Sequence, residues 1–502
     1  MGWMTGRLPA RLLDWLVPLA FGLTVTLVTP WRTSLQFGQD EGFELMKAWL
    51  VSRGHSLYGA FWNDQPPLHT QLLALLFRLF GPSAWIGRLL GLGFSMLLVA
   101  ALQALVRRAS NRAAALLAVV LLVSSTSFIE LSVSTMLEVP AFALGLASVW
   151  SWFQWEDVGT RKWVVLSGLL FSLALQVKLT SILLLPALAA AWLVSGNACR
   201  AGWRDTSELE ARDGEIRRGG TLPWRAGAWW AGATATGFGL SAALFDRVGM
   251  WSVFGRSHFS SATYQGALDW DTVFHPVDLE SDLGILIPAG MGLAVGVWRR
   301  RRTALFPVVA LVTAVVVHLY HRPYWSYYRI HFSIPLAWLG GLGLVEGFRV
   351  LWASFPHRSH RIPPGLVGGY LAWSTAVASA VALIPEKTLW EILRLRRTAT
   401  GSEDHHVKAL QAHSEDGDWI FTEDRIRAFW ARRPIPPELA VIPAKRLWSG
   451  QLPSSEVRRC LDRYRPRLIF LSEASIERFR LGDYLAAHYA AVPNEPGLFR
   501  LR

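Results

Sequence analysis

Long apolar runs dominate this sequence and restrict the chain to a small set of folds. About eleven stretches approach the roughly 20 apolar residues that a helix needs to cross a bilayer. Because unpaired backbone N–H and C=O groups are costly in lipid, such a chain is expected to form a bundle of membrane helices. The candidate spans lie near 13–31, 88–106, 113–129, 138–154, 163–178, 181–196, 226–246, 284–298, 303–320, 331–350 and 365–385.

The distribution of charge supports a polytopic membrane protein and predicts its orientation. Only 17% of the 502 residues are charged, below the roughly 25% usual in soluble domains. A net charge of +13 would suggest nucleic-acid binding in a soluble protein, but here the basic residues occupy alternate loops between apolar runs. We therefore expect no nucleic-acid partner, an uncleaved first helix and a cytoplasmic N-terminus. The basic loops contain Arg107, Arg108 and Arg112; Arg161 and Lys162; Arg200, Arg204, Arg217, Arg218 and Arg225; Arg299 to Arg302; and Arg349, Arg358 and Arg361.

A change of composition after about residue 385 predicts two parts. Residues 1–385 are expected to form the transmembrane module, and 386–502 a small soluble α/β domain on the outer side. In that domain "RPRLIFLS" favours a buried strand, and "SSEVRRCLDRYR" favours a helix opened by a serine cap. The first outer loop spans 32–87, and its short apolar stretch Leu68 to Phe80 predicts a helix at the outer interface.

Acidic residues stand at the outer ends of two predicted spans. Asp40 and Glu41 follow the first span in "FGQDEGFELM", and Glu138 opens the fourth in "STMLEVPAF". Asp40 caps the following helix, accepts a proton from a hydroxyl nucleophile in a membrane-edge cavity, or does both. Glu138 either faces water at the boundary or shares a cleft with Asp40. Two carboxylates on one face could also hold a divalent cation such as Mg²⁺ or Mn²⁺, so Asp40 and Glu138 are the candidate metal ligands.

Basic and aromatic residues supply the candidates for phosphate binding. Lys178 lies within nearly forty mostly apolar residues, where a charge costs about 2.5–3.5 kcal/mol. It either extends toward the headgroups or pairs with a lipid phosphate. "YHRPYWSYYRIHF" adds Arg322 and Arg329, whose guanidinium groups suit phosphate, and Tyr327, whose ring suits a sugar face. His258, in "GRSHFSSATYQG", is either a further candidate or a plain surface histidine.

The order of these motifs resembles one family. "DE" after the first span is followed by "WNDQPPLH", the helix "LLALLFRLFG", the acid of "LEVPA" and a lysine ending a later span. This resembles the polyprenyl-phosphate-sugar-dependent glycosyltransferases of the GT-C fold, which include protein O-mannosyltransferases and the lipid A aminoarabinose transferase. The resemblance implies that Asp40 lies near the acceptor hydroxyl with Glu41 beside it. It also implies that Glu138 occupies the second acidic position and that Lys178 contacts the donor phosphate.

The same resemblance implies a function. By it, we expect the chain to transfer a hexose or related sugar, with inversion, from a polyprenyl-phosphate carrier to a hydroxyl of a protein, lipid or glycan. We expect this reaction at the outer face of a bacterial plasma (inner) membrane. Family members often have Lys or Glu before the paired prolines, where this chain has Asp64 and Gln65. The residues expected to line the substrate cleft are Asp64, Pro66, Pro67, His69, His258 and Tyr327.

Three other functions are compatible with a polytopic chain. A secondary transporter places ionisable groups near the membrane midplane, often in repeated halves, whereas these acids lie at span ends and no repeat is evident. A lipid-linked glycan ligase or polymerase also carries large outer loops, but the early acidic pair favours the glycosyltransferase. A non-catalytic membrane scaffold is the third alternative.

Overall fold

The computed structural model describes residues 7–201, 223–245, 248–259, 273–298, 304–354 and 364–502. Some predicted basic loop residues lie outside these ranges, namely Arg204, Arg217, Arg218, Arg299 to Arg302, Arg358 and Arg361. The helices preceding the C-terminal region are Arg7–Val28, Glu41–Ser52, Leu68–Phe80, Ala84–Ala109, Arg112–Val123, Phe128–Ser132, Glu138–Val158, Arg161–Val177, Leu185–Ala201, Pro223–Phe245, Val248–Phe259, Leu283–Trp298, Leu305–Tyr320, Ile330–Ala353 and Pro364–Arg396. Short 3-10 segments cover Leu179–Leu184, Pro276–Asp282 and Ser326–Arg329.

Apolar helices of membrane-spanning length are present. Within the described ranges, four helical stretches are long and apolar enough to cross a bilayer, at 84–109, 276–298, 326–353 and 367–396. Shorter apolar helices lie at 14–28, 68–80, 112–123, 179–194 and 305–320. These helices support the prediction of an integral membrane protein, while the number of eleven spans stays a prediction.

Small residues bring two of the long helices close together. Helix Leu283–Trp298 packs along helix Ile330–Ala353. A Cβ atom placed on Gly292 would lie 1.9 Å from the Leu339 carbonyl oxygen, and one on Gly343 would lie 2.2 Å from that of Pro288. Only glycine permits this backbone approach, which is a common way for helices to associate in membranes.

The C-terminal region carries a small mixed sheet. Strands β1 (Ile420–Thr422), β2 (Leu468–Phe470), β3 (Tyr489–Ala491) and β4 (Leu498–Leu501) form a four-stranded sheet in the order β1-β2-β4-β3. β1 and β2 are parallel, whereas β4 is antiparallel to both of its neighbours. The helices of this region are His405–Ala412, Arg425–Trp430, Ala444–Trp448, Ser454–Tyr464, Glu473–Arg478 and Gly482–His488, with a 3-10 segment at Pro437–Leu439.

Two details of this region differ from the sequence-based expectation. Helix Pro364–Arg396 continues through the predicted boundary at residue 385, so the α/β region begins only after Arg396. The predicted strand is present as β2, and the predicted helix as Ser454–Tyr464. The serine cap is wrong, because Pro453 holds the N-cap position and the Ser454 hydroxyl instead donates to the Arg478 carbonyl at 3.4 Å.

The first outer loop packs against the C-terminal region. Trp49 and Phe77 lie 5.7 and 5.8 Å, between ring centroids, from Phe429. At Gly42 a Cβ atom would lie 2.8 Å from the backbone nitrogen of Ile426, so the two chain segments touch through backbone. The loop therefore lies between the helical bundle and the sheet, and its residues are shared by the cavities described below.

Candidate active site

A cavity of about 190 Å³ lies where the first outer loop, the bundle and the C-terminal region meet. It brings together Asp40, Glu138, Lys178 and Tyr327, which are candidate site residues from the sequence and lie far apart along the chain. The lining comprises Gln39, Asp40, Phe43, Glu44, Gln65, Met136, Leu137, Glu138, Lys178, Trp325, Tyr327, Tyr328, Ile442, Pro443, Ala444 and Lys445.

Asp40 presents its carboxylate to this cavity. It stands immediately before helix Glu41–Ser52, but its side chain makes no capping hydrogen bond, so the capping interpretation is wrong. Instead Oδ2 accepts a hydrogen bond from the Tyr327 hydroxyl at 2.9 Å. Burial raises the pKa of Asp40 above its usual value, although Tyr327, Lys178 and Lys445 act in the opposite direction. A carboxyl with a raised pKa is a stronger base when deprotonated, as a proton acceptor requires.

Glu138 and Lys178 form a buried ion pair in the wall of the cavity. Glu138 is the first residue of its helix, and Lys178 follows the last residue of helix Arg161–Val177. Lys178 is only 6% exposed, and its ammonium group also lies 5.0 Å from the ring centroids of Tyr327 and Tyr328. Its side chain is therefore buried inside the protein and does not extend over the protein surface. Glu138 does not face water, and it shares the cavity with Asp40 as the cleft alternative requires.

Glu41 lies apart from its neighbour. Its carboxylate receives two hydrogen bonds from the Arg88 guanidinium, at 2.9 and 2.7 Å, and one from the backbone nitrogen of Phe37 at 2.6 Å. Both Glu41 and Arg88 are fully buried, and Glu41 does not line the cavity. The geometry assigns Glu41 to holding the loop on helix Ala84–Ala109, because each of its oxygens is already hydrogen-bonded within the protein.

Asp64 connects the loop to the C-terminal region. Its Oδ2 forms an ion pair with Lys445 and lies 2.9 Å from His258 Nε2. Burial alone would raise the pKa of Asp64, but Lys445 and His258 hold it well below its usual value. His258 is thus a half-buried partner of Asp64 rather than a plain surface histidine, and neither it nor Asp64 lines the cavity. Lys445, which does line it, is a residue that the sequence reasoning missed.

The remaining loop candidates, Pro66, Pro67 and His69, are buried and do not line the cavity. Pro66 and Pro67 are buried at the start of helix Leu68–Phe80 and do not line the cavity. His69 is also buried, and its Nδ1 lies 3.8 Å from the carboxylate of Glu44, which does line it. Burial alone would raise the pKa of Glu44, but Lys47 and His69 lower it to about 2.

The two arginines predicted to bind phosphate are not in the cavity. Arg329 donates a hydrogen bond to the Ser281 hydroxyl at 2.9 Å, and Arg322 is half-buried beside a cis proline bond. Neither side chain lines the cavity that contains Lys178. Of the phosphate-binding candidates, the structure brings only Lys178 next to Asp40.

Asp40 and Glu138, the predicted metal ligands, both interact with protein groups in this structure, and a divalent cation at this pair stays a prediction. Glu138 is paired with the Lys178 ammonium, and Asp40 accepts its hydrogen bond from Tyr327. Among the described residues, the only group of three side chains placed to share a metal ion is His405, His406 and Glu495 in the C-terminal region.

Comparison with known proteins identifies the fold. Residues 64–207 match the family model described as dolichyl-phosphate-mannose-protein mannosyltransferase. The structure is similar to ArnT from Cupriavidus metallidurans in the apo state, with 14% identity, 97% of each chain covered and a TM-score of 0.62. The structure of ArnT from the same organism bound to undecaprenyl phosphate is also similar, with 14% identity, 97% of each chain covered and a TM-score of 0.57.

A third similar structure is the archaeal oligosaccharyltransferase AglB from Archaeoglobus fulgidus, in complex with an inhibitory peptide and a dolichol-phosphate. It is 12% identical, covers 98% of this chain and 74% of that chain, and has a TM-score of 0.51. No curated protein sequence matches this chain significantly. The resemblance to GT-C glycosyltransferases that the motifs indicate is confirmed by the matched segment and by the fold.

Proposed function

We propose that this chain is a membrane glycosyltransferase that moves a sugar from a polyprenyl-phosphate carrier to a hydroxyl acceptor. One observation carries the proposal: Asp40 and Lys178, a proton acceptor and a cation, line a single cavity in a GT-C fold. Undecaprenyl phosphate is bound in one similar structure and dolichol-phosphate in another, which supports a lipid phosphate as the leaving group.

The reaction is a substitution at the anomeric carbon. The acceptor oxygen forms a bond to that carbon, while the bond from the carbon to the carrier phosphate oxygen breaks. The acceptor proton passes to Asp40, and the electron pair of the broken bond stays on the polyprenyl phosphate. The Tyr327 hydroxyl donates a hydrogen bond to the Asp40 carboxylate and so stabilises the deprotonated form that accepts the proton. We expect inversion at the sugar, because a single displacement inverts the attacked carbon.

Lys178 stabilises the charge that develops on the leaving phosphate. Its ammonium group is held by Glu138 on one side and by the rings of Tyr327 and Tyr328 on the other. A cation fixed in a buried site stabilises a developing anion without having to reorganise during the reaction. Lys445 also lines the cavity and adds positive charge from the C-terminal region. No step in this mechanism needs a nucleotide or a metal ion.

A neighbouring cavity suits the lipid donor. It has a volume of about 980 Å³, shares Gln39 and Tyr327 with the active site, and is also lined by Lys387, Arg394 and Arg397. These cations lie near the end of helix Pro364–Arg396, whose apolar part is only 17% buried within the protein. A carrier lying along this helix could present its phosphate toward Lys178 from the membrane side.

The predicted topology places the reaction on the outer side of the membrane. Basic loops on the cytoplasmic side put the N-terminus inside, and the first outer loop with the C-terminal region outside. We propose the bacterial plasma (inner) membrane as the location. A donor attached to lipid reaches this face without any soluble sugar nucleotide, because the carrier positions the sugar at headgroup level.

The experiment is release of polyprenyl phosphate by the purified chain from a panel of polyprenyl-phosphate sugars, with wild type, Asp40→Asn and Asp483→Asn. Asp483 is an exposed carboxylate of the C-terminal region and controls for the loss of one charge. We expect release by wild type and by Asp483→Asn, and almost none by Asp40→Asn. Absence of release from every donor by wild type, or near-normal turnover by Asp40→Asn, overturns the proposal.

A further inference from the structure

A separate cavity of about 790 Å³ lies at the edge of the C-terminal sheet. The parallel strands β1 and β2 both end there, and the helices that follow them, beginning at Arg425 and Glu473, form its sides. A cleft outside the carboxyl ends of parallel strands is a recurrent place for ligands in α/β structures. The proposed transfer chemistry makes no use of this cavity.

Arg425 gives the cavity an unsatisfied donor. The side chain is 7% exposed; its Nε donates to the Ala440 carbonyl at 3.3 Å, and its Nη1 donates to the Glu423 carbonyl. Nη2 is buried and has no hydrogen-bond partner among the described residues, although the residue lines the cavity. The guanidinium group is fixed by these contacts and by the Phe43 ring 4.6 Å below it. A buried donor without a partner is costly, and an oxygen atom of a ligand would satisfy it.

The rest of the lining indicates which ligand fits. Phe43 and Phe470 supply apolar ring faces, while Gln39 and Glu473 supply donors and acceptors with planar geometry. Rings beside amide, carboxylate and guanidinium groups match a saccharide, which has an apolar face and a rim of hydroxyls. The lining contains both basic and acidic residues, Arg425 and Arg427 together with Glu423, Asp424 and Glu473, so it does not select a strongly charged ligand.

The cavity adjoins the active site, and the two share two lining residues. Gln39 and Phe43 line both cavities, and Asp40 stands between them in the sequence. We propose that the acceptor of the transfer is a saccharide, bound at the edge of the C-terminal sheet with one hydroxyl passing Gln39 to reach Asp40. This inference rests on the proposed function and adds the chemical class of the acceptor and its binding site.

The lipid donor and the acceptor then approach from different sides. The cavity assigned to the donor is lined by the membrane helix Pro364–Arg396, whereas the cavity assigned to the acceptor has no lining residue in any of the four long apolar helices. Gln36 and Gln39 line both. The first outer loop thus separates an apolar substrate from a polar one and brings them together only at Asp40.

The test measures two reactions of the full-length protein with one polyprenyl-phosphate sugar that it uses. The first is transfer to a panel of methyl glycosides, with a serine- and threonine-containing peptide as the competing acceptor class. The second is release of polyprenyl phosphate to water without an acceptor. The variants are Arg425→Gln, Arg425→Lys and Glu473→Ala, with Glu477→Ala as the control on the same helix. Glu473 and Glu477 are both exposed, and only Glu473 lines the cavity.

We expect transfer to at least one methyl glycoside by wild type. Arg425→Gln should raise the acceptor KM by about tenfold or more, since hydrogen bonds to a charged group are worth about that factor. Glu473→Ala should raise it by a smaller factor, Arg425→Lys should recover part of the loss, and Glu477→Ala should behave as wild type. Release to water and the donor KM should stay unchanged in every variant.

Transfer to the peptide but to no glycoside overturns the saccharide assignment. An unchanged acceptor KM in both Arg425→Gln and Glu473→Ala overturns the site, and because Glu473 is exposed, that variant does not depend on refolding of a buried position. Failure of the proposed function is distinguishable, because wild type would then release no polyprenyl phosphate even in the reaction with water.

Discussion

Asp40 and Glu41 are neighbouring carboxylates with opposite surroundings. Glu41 has both oxygens hydrogen-bonded, to Arg88 and to a backbone nitrogen, and is fully buried. Asp40 has one oxygen bonded to Tyr327, and its side chain faces a cavity that also contains Lys178. A helix begins between them, so consecutive side chains point in different directions.

The difference shows how a structural acid can be told from a chemical one. A buried carboxylate whose bonding capacity is filled by protein groups has nothing left to offer a substrate. A carboxylate beside a cavity, with a raised pKa and a spare oxygen, can still accept a proton. The first outer loop contains two carboxylates with these different surroundings side by side, and the Glu41–Arg88 ion pair holds the backbone next to Asp40 in place.

The largest expected effect comes from removing the Asp40 charge. Asp40→Asn keeps the shape of the side chain and can still accept the Tyr327 hydrogen bond, but it cannot take the acceptor proton. We expect kcat to fall by about 10²–10⁴-fold, the usual contribution of a general base. Turnover of a polyprenyl-phosphate sugar measures the loss, while circular dichroism and gel filtration in detergent should match wild type. Retention of activity would place Asp40 with Glu41 as a structural acid.

Glu41→Gln should have the opposite result, with a large loss of stability. The variant leaves the Arg88 guanidinium buried without a counter-charge, and breaking a buried ion pair in this way costs about 3–5 kcal/mol. Thermal unfolding in detergent should show a lower Tm, and the double variant Glu41→Gln with Arg88→Met should recover part of it. A Glu41→Gln protein that is as stable as wild type but inactive would contradict the comparison.

Replacing Lys178 should affect use of the donor. Lys178→Met should lower kcat/KM for the donor by about 10²-fold, because the developing phosphate charge loses its fixed cation. The single change leaves the Glu138 carboxylate buried without its partner. The double variant Lys178→Met with Glu138→Gln avoids this, because both members of the pair are then uncharged. Lys162→Met is the control, because Lys162 lies in helix Arg161–Val177, which Lys178 directly follows. An unchanged dependence on donor concentration in the double variant would remove Lys178 from the mechanism.

The sequence predicts the membrane character, the GT-C resemblance and four residues of the cavity. Asp40, Glu138 and Lys178 can be proposed because charges in or beside apolar runs are rare and need a reason. Tyr327 can be proposed because its ring lies in a loop that also carries arginines. The pairing of Glu41 could not, since it depends on Arg88 at the start of another apolar run. Arg88 is a charge at the start of an apolar run, and so it is the same kind of signal as Lys178. Lys445 gave no such signal, because a lysine in a polar region is ordinary.

Other differences have the same origin in long-range contacts. Asp64 and His258 were expected in the substrate cleft, but they bond to each other and to Lys445, which comes from the C-terminal region. The predicted domain boundary followed hydropathy, whereas the helix that contains it continues into polar sequence as far as Arg396. Local pattern identifies which residues are unusual, and only the three-dimensional structure shows which of them share a cavity.

The smallest effect is a shift in pH dependence on loss of the Tyr327 hydroxyl. Asp40 works as a base only when deprotonated, so the rate should fall as the pH drops through its pKa. Burial raises this pKa, and the Tyr327 hydrogen bond lowers it. Tyr327→Phe should therefore move the acidic limb of the kcat profile to higher pH and leave the rate well above that pH near wild type. Tyr328→Phe is the matched control, because Tyr328 is equally near Lys178 but is not bonded to Asp40. A limb that moves equally in both variants, or that moves to lower pH, would show that Tyr327 does not act through the Asp40 carboxylate.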